Sequence, residues 1–127
     1  MENLEEIRLE DIEDKVILLN ISQTYRPHME GDENSIYDIA KQAWSLSKTG
    51  ESKDLVDYAL AIYQNRVKGV FSIDRWKKAE YEPTKWEFEG KIAPDEIRNR
   101  YLNKKIVVAW GQGQNNSFRY LNCNPSS

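Results

Sequence analysis

Two apolar runs, Tyr58–Tyr63 and Val67–Ile73, flank the polar triplet Gln64-Asn65-Arg66, and this arrangement predicts a β-hairpin. In the second run Val67, Gly69, Phe71 and Ile73 alternate with Lys68, Val70 and Ser72, so a period of two is interrupted only at Val70. The charged stretch Arg75–Thr84, with Pro83 near its end, reads as the connection that leaves the hairpin.

The other segments supply its neighbours. Val16–Ile21 is short, β-branched and almost continuously apolar, the pattern of a buried strand. Ser22–Asn34, with Pro27, Gly31 and many polar residues, reads as a long loop, and loops of that length in small domains are often functional. Ser35–Ser47 reads as a helix with Ile36, Ile39, Ala40, Ala43 and Trp44 on one face, and Ser35 followed by Asp38 is a loose capping pattern. Lys48–Lys53 is a polar turn around Gly50. Lys85–Glu89 alternates Trp86 and Phe88 with charges, as a half-exposed strand closed by Gly90. Pro94 opens a short helix with Asp95 and Glu96 in its first turn, and Ile97 and Tyr101 share its buried face. Ile106–Trp110 and Phe118–Leu121 read as the last two strands, with the polar loop Gly111–Ser117 between them.

This order predicts an α+β fold: a curved mixed or antiparallel sheet, or a small barrel, of about six strands with two helices. The expected organisation is an acidic N-terminal arm over residues 1–15, a single ligand-binding domain over 16–123 and a tail over 124–127. The arm carries seven acids against Arg8 and Lys15, whereas residues 66–105 carry eleven Lys and Arg against seven acids. An acidic arm beside a basic body is compatible with an anionic ligand, and equally with an ordinary solvated surface. Residues 1–13 are expected to be removable without unfolding, unless Leu4, Ile7 and Ile12 pack as one face.

No apolar run reaches the roughly 18 residues that would span a membrane, and the acidic start lacks the basic-then-apolar order of a signal peptide. The cytosol is the expected location. The single cysteine, Cys123, excludes an internal disulfide, and with the single histidine, His28, it cannot make an ordinary zinc site. No second histidine pairs with His28, no Asp-x-Asp or Glu-x-x-His cluster occurs, and Gly111-Gln112-Gly113 lacks the rest of a phosphate loop. The chain therefore reads as a binder rather than an enzyme, with neither cofactor nor metal expected.

Binding has more support. Tyr25-Arg26, Arg75-Trp76, Lys85-Trp86, Trp110-Gly111-Gln112 and Arg119-Tyr120 set aromatic rings beside cations or amides. Rings stack on bases, cations neutralise phosphate, and amides match a base edge. Trp44, Trp86 and Phe88 have the periodicity of core residues, whereas Tyr25 and Trp76 do not. Trp86 is thus expected to face the core and Trp76 to line a pocket mouth.

Residues 54–90, which include DLVDYALAIYQNRVKGVFSIDRW, resemble the central hairpin of the PUA-like superfamily, the group of the EVE, ASCH and YTH domains. A wider set of segments is similar to a domain found behind GIY-YIG nuclease domains in bacterial and phage proteins: Tyr25-Arg26-Pro27, Tyr58–Tyr63, Val70-Phe71-x-Ile73-x-x-Trp76, Trp86-x-Phe88-x-Gly90 and Arg119–Asn122. The nuclease motifs themselves do not occur. PUA-like relatives enclose a base of RNA, or a modified base, in an aromatic pocket. The resemblance implies a pocket here lined by the Tyr25-Arg26 loop, Trp44, Trp76 and the Gly111–Ser117 loop. The candidate ligand-binding residues are Tyr25, Arg26, His28, Trp44, Arg75, Trp76, Gln112, Asn115 and Asn116.

The leading expectation is non-catalytic binding of a nucleobase or nucleotide. The ligand is either a base within nucleic acid or a free, even cyclic immune-signalling, nucleotide sequestered by a phage-like protein with an anti-defence role. The net charge of −3 favours a small ligand over long DNA. The alternative is a protein-interaction module or an inhibitor of a nuclease or defence protein. A protein partner and a homo-oligomer stay open; a membrane partner is not expected.

Overall fold

The computed structural model describes residues 5–42, 44, 52–81, 84–108, 110 and 118–123. Its centre is an open, mixed sheet of β1 (Val16–Asn20), β2 (Tyr58–Tyr63), β3 (Arg66–Lys78), β4 (Trp86–Ile92) and β5 (Phe118–Leu121). The strand order is β4-β3-β2-β1-β5. Only β1 and β2 run parallel, and the connection between them carries α1 (Glu33–Ala40). A second helix, α2 (Asp95–Tyr101), follows β4. The fold is thus α+β as expected, and among the described residues the sheet has five strands rather than about six and is not closed into a barrel. Lys105 makes isolated bridges to Glu6 and Arg66, and Ile106–Val108 and Trp110 form no strand.

The apolar pattern explains the layering. β1 is buried along its whole length because both faces of the sheet are covered there. On one face Ile17, Leu19, Ala59, Ala61, Phe71 and Phe88 pack with Ile36 and Ala40 of α1. On the other, Val16, Leu18, Leu60, Ile62, Val67 and Val70 pack with Ile97 and Tyr101 of α2, and with Ile12 and Ile106. Strands buried on both faces read as continuous apolar runs, and VILLN is one.

Two bulges in β3 decide where its side chains go. Ala61 pairs with Gly69 and Ile62 with Val67, which leaves Lys68 as an extra residue. Val67 and Val70 therefore share a face, which accounts for the break in alternation at Val70. Farther on, Ile73 pairs with Gly90 and Arg75 with Glu89, so Asp74 is a second extra residue. The strand does not end there but continues to Lys78. Arg75 and Lys77 then face Glu89 and Glu87, while Trp76 joins the Phe71 and Phe88 face. The expected connection over 75–84 thus begins as strand, because a bulge inverts the periodicity without ending the pairing.

The edge strand β4 is satisfied by the chain that leaves α1. Phe88 N–H donates to the Lys41 carbonyl at 3.0 Å, Trp86 N–H to the Trp44 carbonyl at 2.8 Å, and Gly90 N–H to the Tyr37 hydroxyl at 2.9 Å. This pairing accounts for α1 stopping at Ala40 instead of running toward Ser47: the backbone around Trp44 is bonded to β4. At its start, Asp32 caps α1 by accepting from Ser35 N–H at 3.2 Å, in place of the expected Ser35 cap. At Gly90 a side chain would put its Cβ 1.8 Å from the Ser72 carbonyl oxygen, so the closest approach of β3 and β4 needs glycine.

The acidic N-terminal segment is docked rather than detached. Ile12 is buried, Ile7 and Leu9 pack against the α2 face, and Asn122 Nδ2–H donates to the carbonyls of Ile12 and Asp14 at 2.8 Å each. Asp14 also pairs with Arg100 at 3.0 Å and accepts from the Tyr101 hydroxyl. Removal of residues 1–13 would therefore uncover core, contrary to the expectation from charge. Among the described residues no helix is long and apolar enough to cross a membrane.

Candidate functional site: the tip of the central hairpin

The turn between β2 and β3 has two residues, Gln64 and Asn65, both in the left-handed region at φ 50° and 61°. Tyr63 pairs with Arg66 across it. The backbone around Lys105 joins this tip from elsewhere in the chain: Val67 N–H donates to the Lys104 carbonyl at 3.0 Å and Ile106 N–H to the Asn65 carbonyl at 2.7 Å. Tyr63, Gln64, Asn65, Arg66, Lys68 and Lys105 line a cavity of about 370 Å³, within the range of small-molecule sites.

An aromatic and ionic cluster around the buried Tyr25 adjoins one wall. Tyr25 stacks on Tyr63 with ring centroids 4.3 Å apart. The bulge aims Lys68 at this wall: its Nζ lies 2.5 Å from Glu30 Oε2 and 5.5 Å from the centre of the Tyr25 ring. Glu30 also accepts from the Tyr25 hydroxyl, and the hydrogen bonds from Lys68 and Tyr25 hold its carboxyl below the usual carboxylate range. Burial, followed by the bond to Glu30, pushes the Tyr25 hydroxyl up to about 12. Glu30 thus compensates Lys68. The side chains of Arg66 and Lys105 make no hydrogen bond or ion pair among the described residues. Three cations and no carboxylate line the cavity, which puts positive charge at a concave surface.

The residues expected to form one pocket fall at two ends of the sheet. Tyr25 belongs to the tip cluster. Arg26, exposed beside it, donates to the carbonyls of Tyr25 at 2.9 Å and Gln23 at 3.2 Å. His28 is exposed in the 3-10 turn Pro27–Met29 that follows. Trp44, Arg75 and Trp76 lie at the other end, roughly 25 Å along β3 at about 3.3 Å per paired residue. Trp44 is buried, and its indole N–H donates to the Ala40 carbonyl at 2.7 Å. Arg75 is held by Glu89 at 3.0 Å. Trp76 packs edge-on against Phe88 at 5.5 Å, and its Nε1 is buried without a hydrogen-bond partner. Trp76 and Trp86 are both half-buried on the same face, so the expected division between a core Trp86 and a pocket Trp76 does not hold. Trp76 does line a smaller cleft of about 210 Å³ with Asp54, Val56, Ile73, Asp74 and Arg75. Gln112, Asn115 and Asn116 lie outside the described residues.

No pattern in the sequence marks Tyr63, Gln64, Arg66, Lys68 and Lys105 as members of one site. The triplet Gln64-Asn65-Arg66 was visible as a turn, but nothing in a one-dimensional pattern brings Lys105 to it. No group of three or more His, Cys, Asp or Glu among the described residues is placed to hold a metal ion. Burial pushes the Cys123 thiol up to about 11, which leaves little of the thiolate that a nucleophile needs.

No family model, curated protein or solved structure matches this chain.

Proposed function

We propose that the chain binds a nucleotide without transforming it, and that the hairpin tip is the binding site. The observation that carries this reading is the joint presence of Arg66, Lys68 and Lys105 around one cavity, with the side chains of Arg66 and Lys105 in no ion pair among the described residues. Arg66 offers a planar fork of donors suited to phosphate oxygens, and Lys105 adds a mobile point charge. Tyr63, backed by Tyr25, offers an aromatic surface against which a base can lie. The base-binding role implied by the resemblance to PUA-like domains is kept, while the pocket moves from the Trp76 end to the Arg66 end. Sequestration of a free signalling nucleotide and capture of a base in a strand are both compatible with a cavity of this size.

Thermal unfolding with a panel of nucleoside monophosphates, cyclic nucleotides and short oligonucleotides tests the reading. A ligand at 100 times its dissociation constant should stabilise the protein by about 2.7 kcal/mol. A raised midpoint that disappears in Arg66→Ala is expected. If no nucleotide or oligonucleotide raises the midpoint of the wild-type protein, the nucleotide reading fails and the protein-interaction alternative replaces it.

A further inference from the structure

The turn at the hairpin tip is built from residues that suit it unequally. A two-residue turn with both positions at positive φ favours asparagine or glycine, and most of all glycine second. Asn65 has structural reasons to be there: its carbonyl accepts from Ile106 N–H at 2.7 Å and its Oδ1 from Val108 N–H at 3.4 Å. Gln64 has none. It stands at φ 50°, where a β-carbon is disfavoured, and its side chain is exposed with no hydrogen bond among the described residues. Glycine would serve the backbone better. What Gln64 does line is the cavity, beside Arg66 and Lys105.

We infer that Gln64 is a specificity-determining residue of this cavity, and that its carboxamide reads the edge of an adenine-type base. A carboxamide presents a donor and an acceptor side by side, the complement of the adenine amino group next to ring nitrogen N7. The phosphate lies against Arg66 and Lys105, the base lies over Tyr63, and Gln64 closes the site from the turn. This assignment rests on the nucleotide-binding reading of the same cavity. Backbone strain at a turn residue with no role in packing is then a consequence of recognition.

The test is calorimetric titration of adenosine monophosphate and of its 7-deaza analogue, which lacks the N7 acceptor. The proteins are the wild type, Gln64→Ala, Gln64→Gly and Arg66→Ala. The wild type should prefer the natural nucleotide by roughly tenfold or more, the scale of one good bidentate contact. Gln64→Ala should bind both compounds equally and weakly. Gln64→Gly should lose the same preference while melting at a higher temperature than the wild type. Oligoadenylate titrated in parallel separates the sources: tighter binding than the monophosphate indicates a strand, equal binding a free nucleotide. Wild-type indifference to the 7-deaza change, with binding still lost in Arg66→Ala, overturns the role of Gln64 and leaves the phosphate site standing. Full preference retained in either Gln64 variant overturns it as well. No binding by the wild type, or binding untouched by Arg66→Ala, removes both the cavity and its reader.

Discussion

The two ends of β3 use the same device to different effect. Each has a bulge, at Lys68 near the hairpin tip and at Asp74 near the far end, and each places an arginine close to an aromatic ring. At the far end Arg75 and Lys77 face Glu89 at 3.0 Å, and these two cations pull its carboxyl down to about 2. That is a cross-strand ladder of paired charges. At the tip Lys68 is paired with Glu30, while the side chains of Arg66 and Lys105 line the cavity in no ion pair among the described residues. A cation beside an aromatic in sequence is therefore a poor guide to a binding site. Whether the opposite strand supplies a carboxylate decides it.

The contrast can be broken or sharpened by substitution. The largest effect is expected for Phe88→Ala, because this ring is fully buried beneath Trp76 and Tyr37 on the face that underlies both ends. Denaturant unfolding should show a loss of about 3–5 kcal/mol. Ile12→Ala should cost about 2–4 kcal/mol, since Ile12 fills the α2 face from the acidic segment. An unchanged midpoint would show that segment to be dispensable after all. Arg66→Ala should leave stability within about 0.5 kcal/mol and weaken nucleotide binding by roughly 1.5–3 kcal/mol, the scale of a lost charged hydrogen bond. Arg75→Ala should also change stability by no more than about 1 kcal/mol, the scale of an exposed ion pair, and should leave nucleotide binding unchanged.

The last of these variants has a signature in acid. The folded-state value of Glu89 lies below its ordinary 4.5, so its contribution is fully present above pH 4.5 and is lost as the pH falls toward about 2. Glu30, also depressed, adds a loss of the same sign. Arg75→Ala should flatten the part of the acid limb that belongs to Glu89, while Lys68→Met should flatten the part that belongs to Glu30. Acid titrations followed by circular dichroism would separate the two ends.

Much of the scaffold was legible in the sequence. The hairpin, β1, β4, β5 and the short α2 follow from apolar runs, alternation and Pro94, because each depends on neighbours close in the chain. What was hidden depends on pairing between distant segments. Asp74 reads as the end of a strand, yet it is a bulge that only the partner strand reveals. Trp44 reads as part of a helix face, yet its backbone is bonded to β4. Lys105 reads as the start of a strand, yet it completes the wall of a cavity some forty residues away in sequence. The candidate site is half legible: Tyr25 stands out in its loop beside Arg26, while Arg66 reads only as part of the polar turn of the clearest element.

The most direct measurement is a nitrogen–proton correlation spectrum of the labelled protein, recorded while adenosine monophosphate is added. If the hairpin tip is the site, the amides of Tyr63–Lys68 and Lys105 should shift progressively and saturate together, with those of Arg75 and Trp76 unmoved. Shifts that centre on Arg75 and Trp76 instead, with the tip unaffected, would contradict the account.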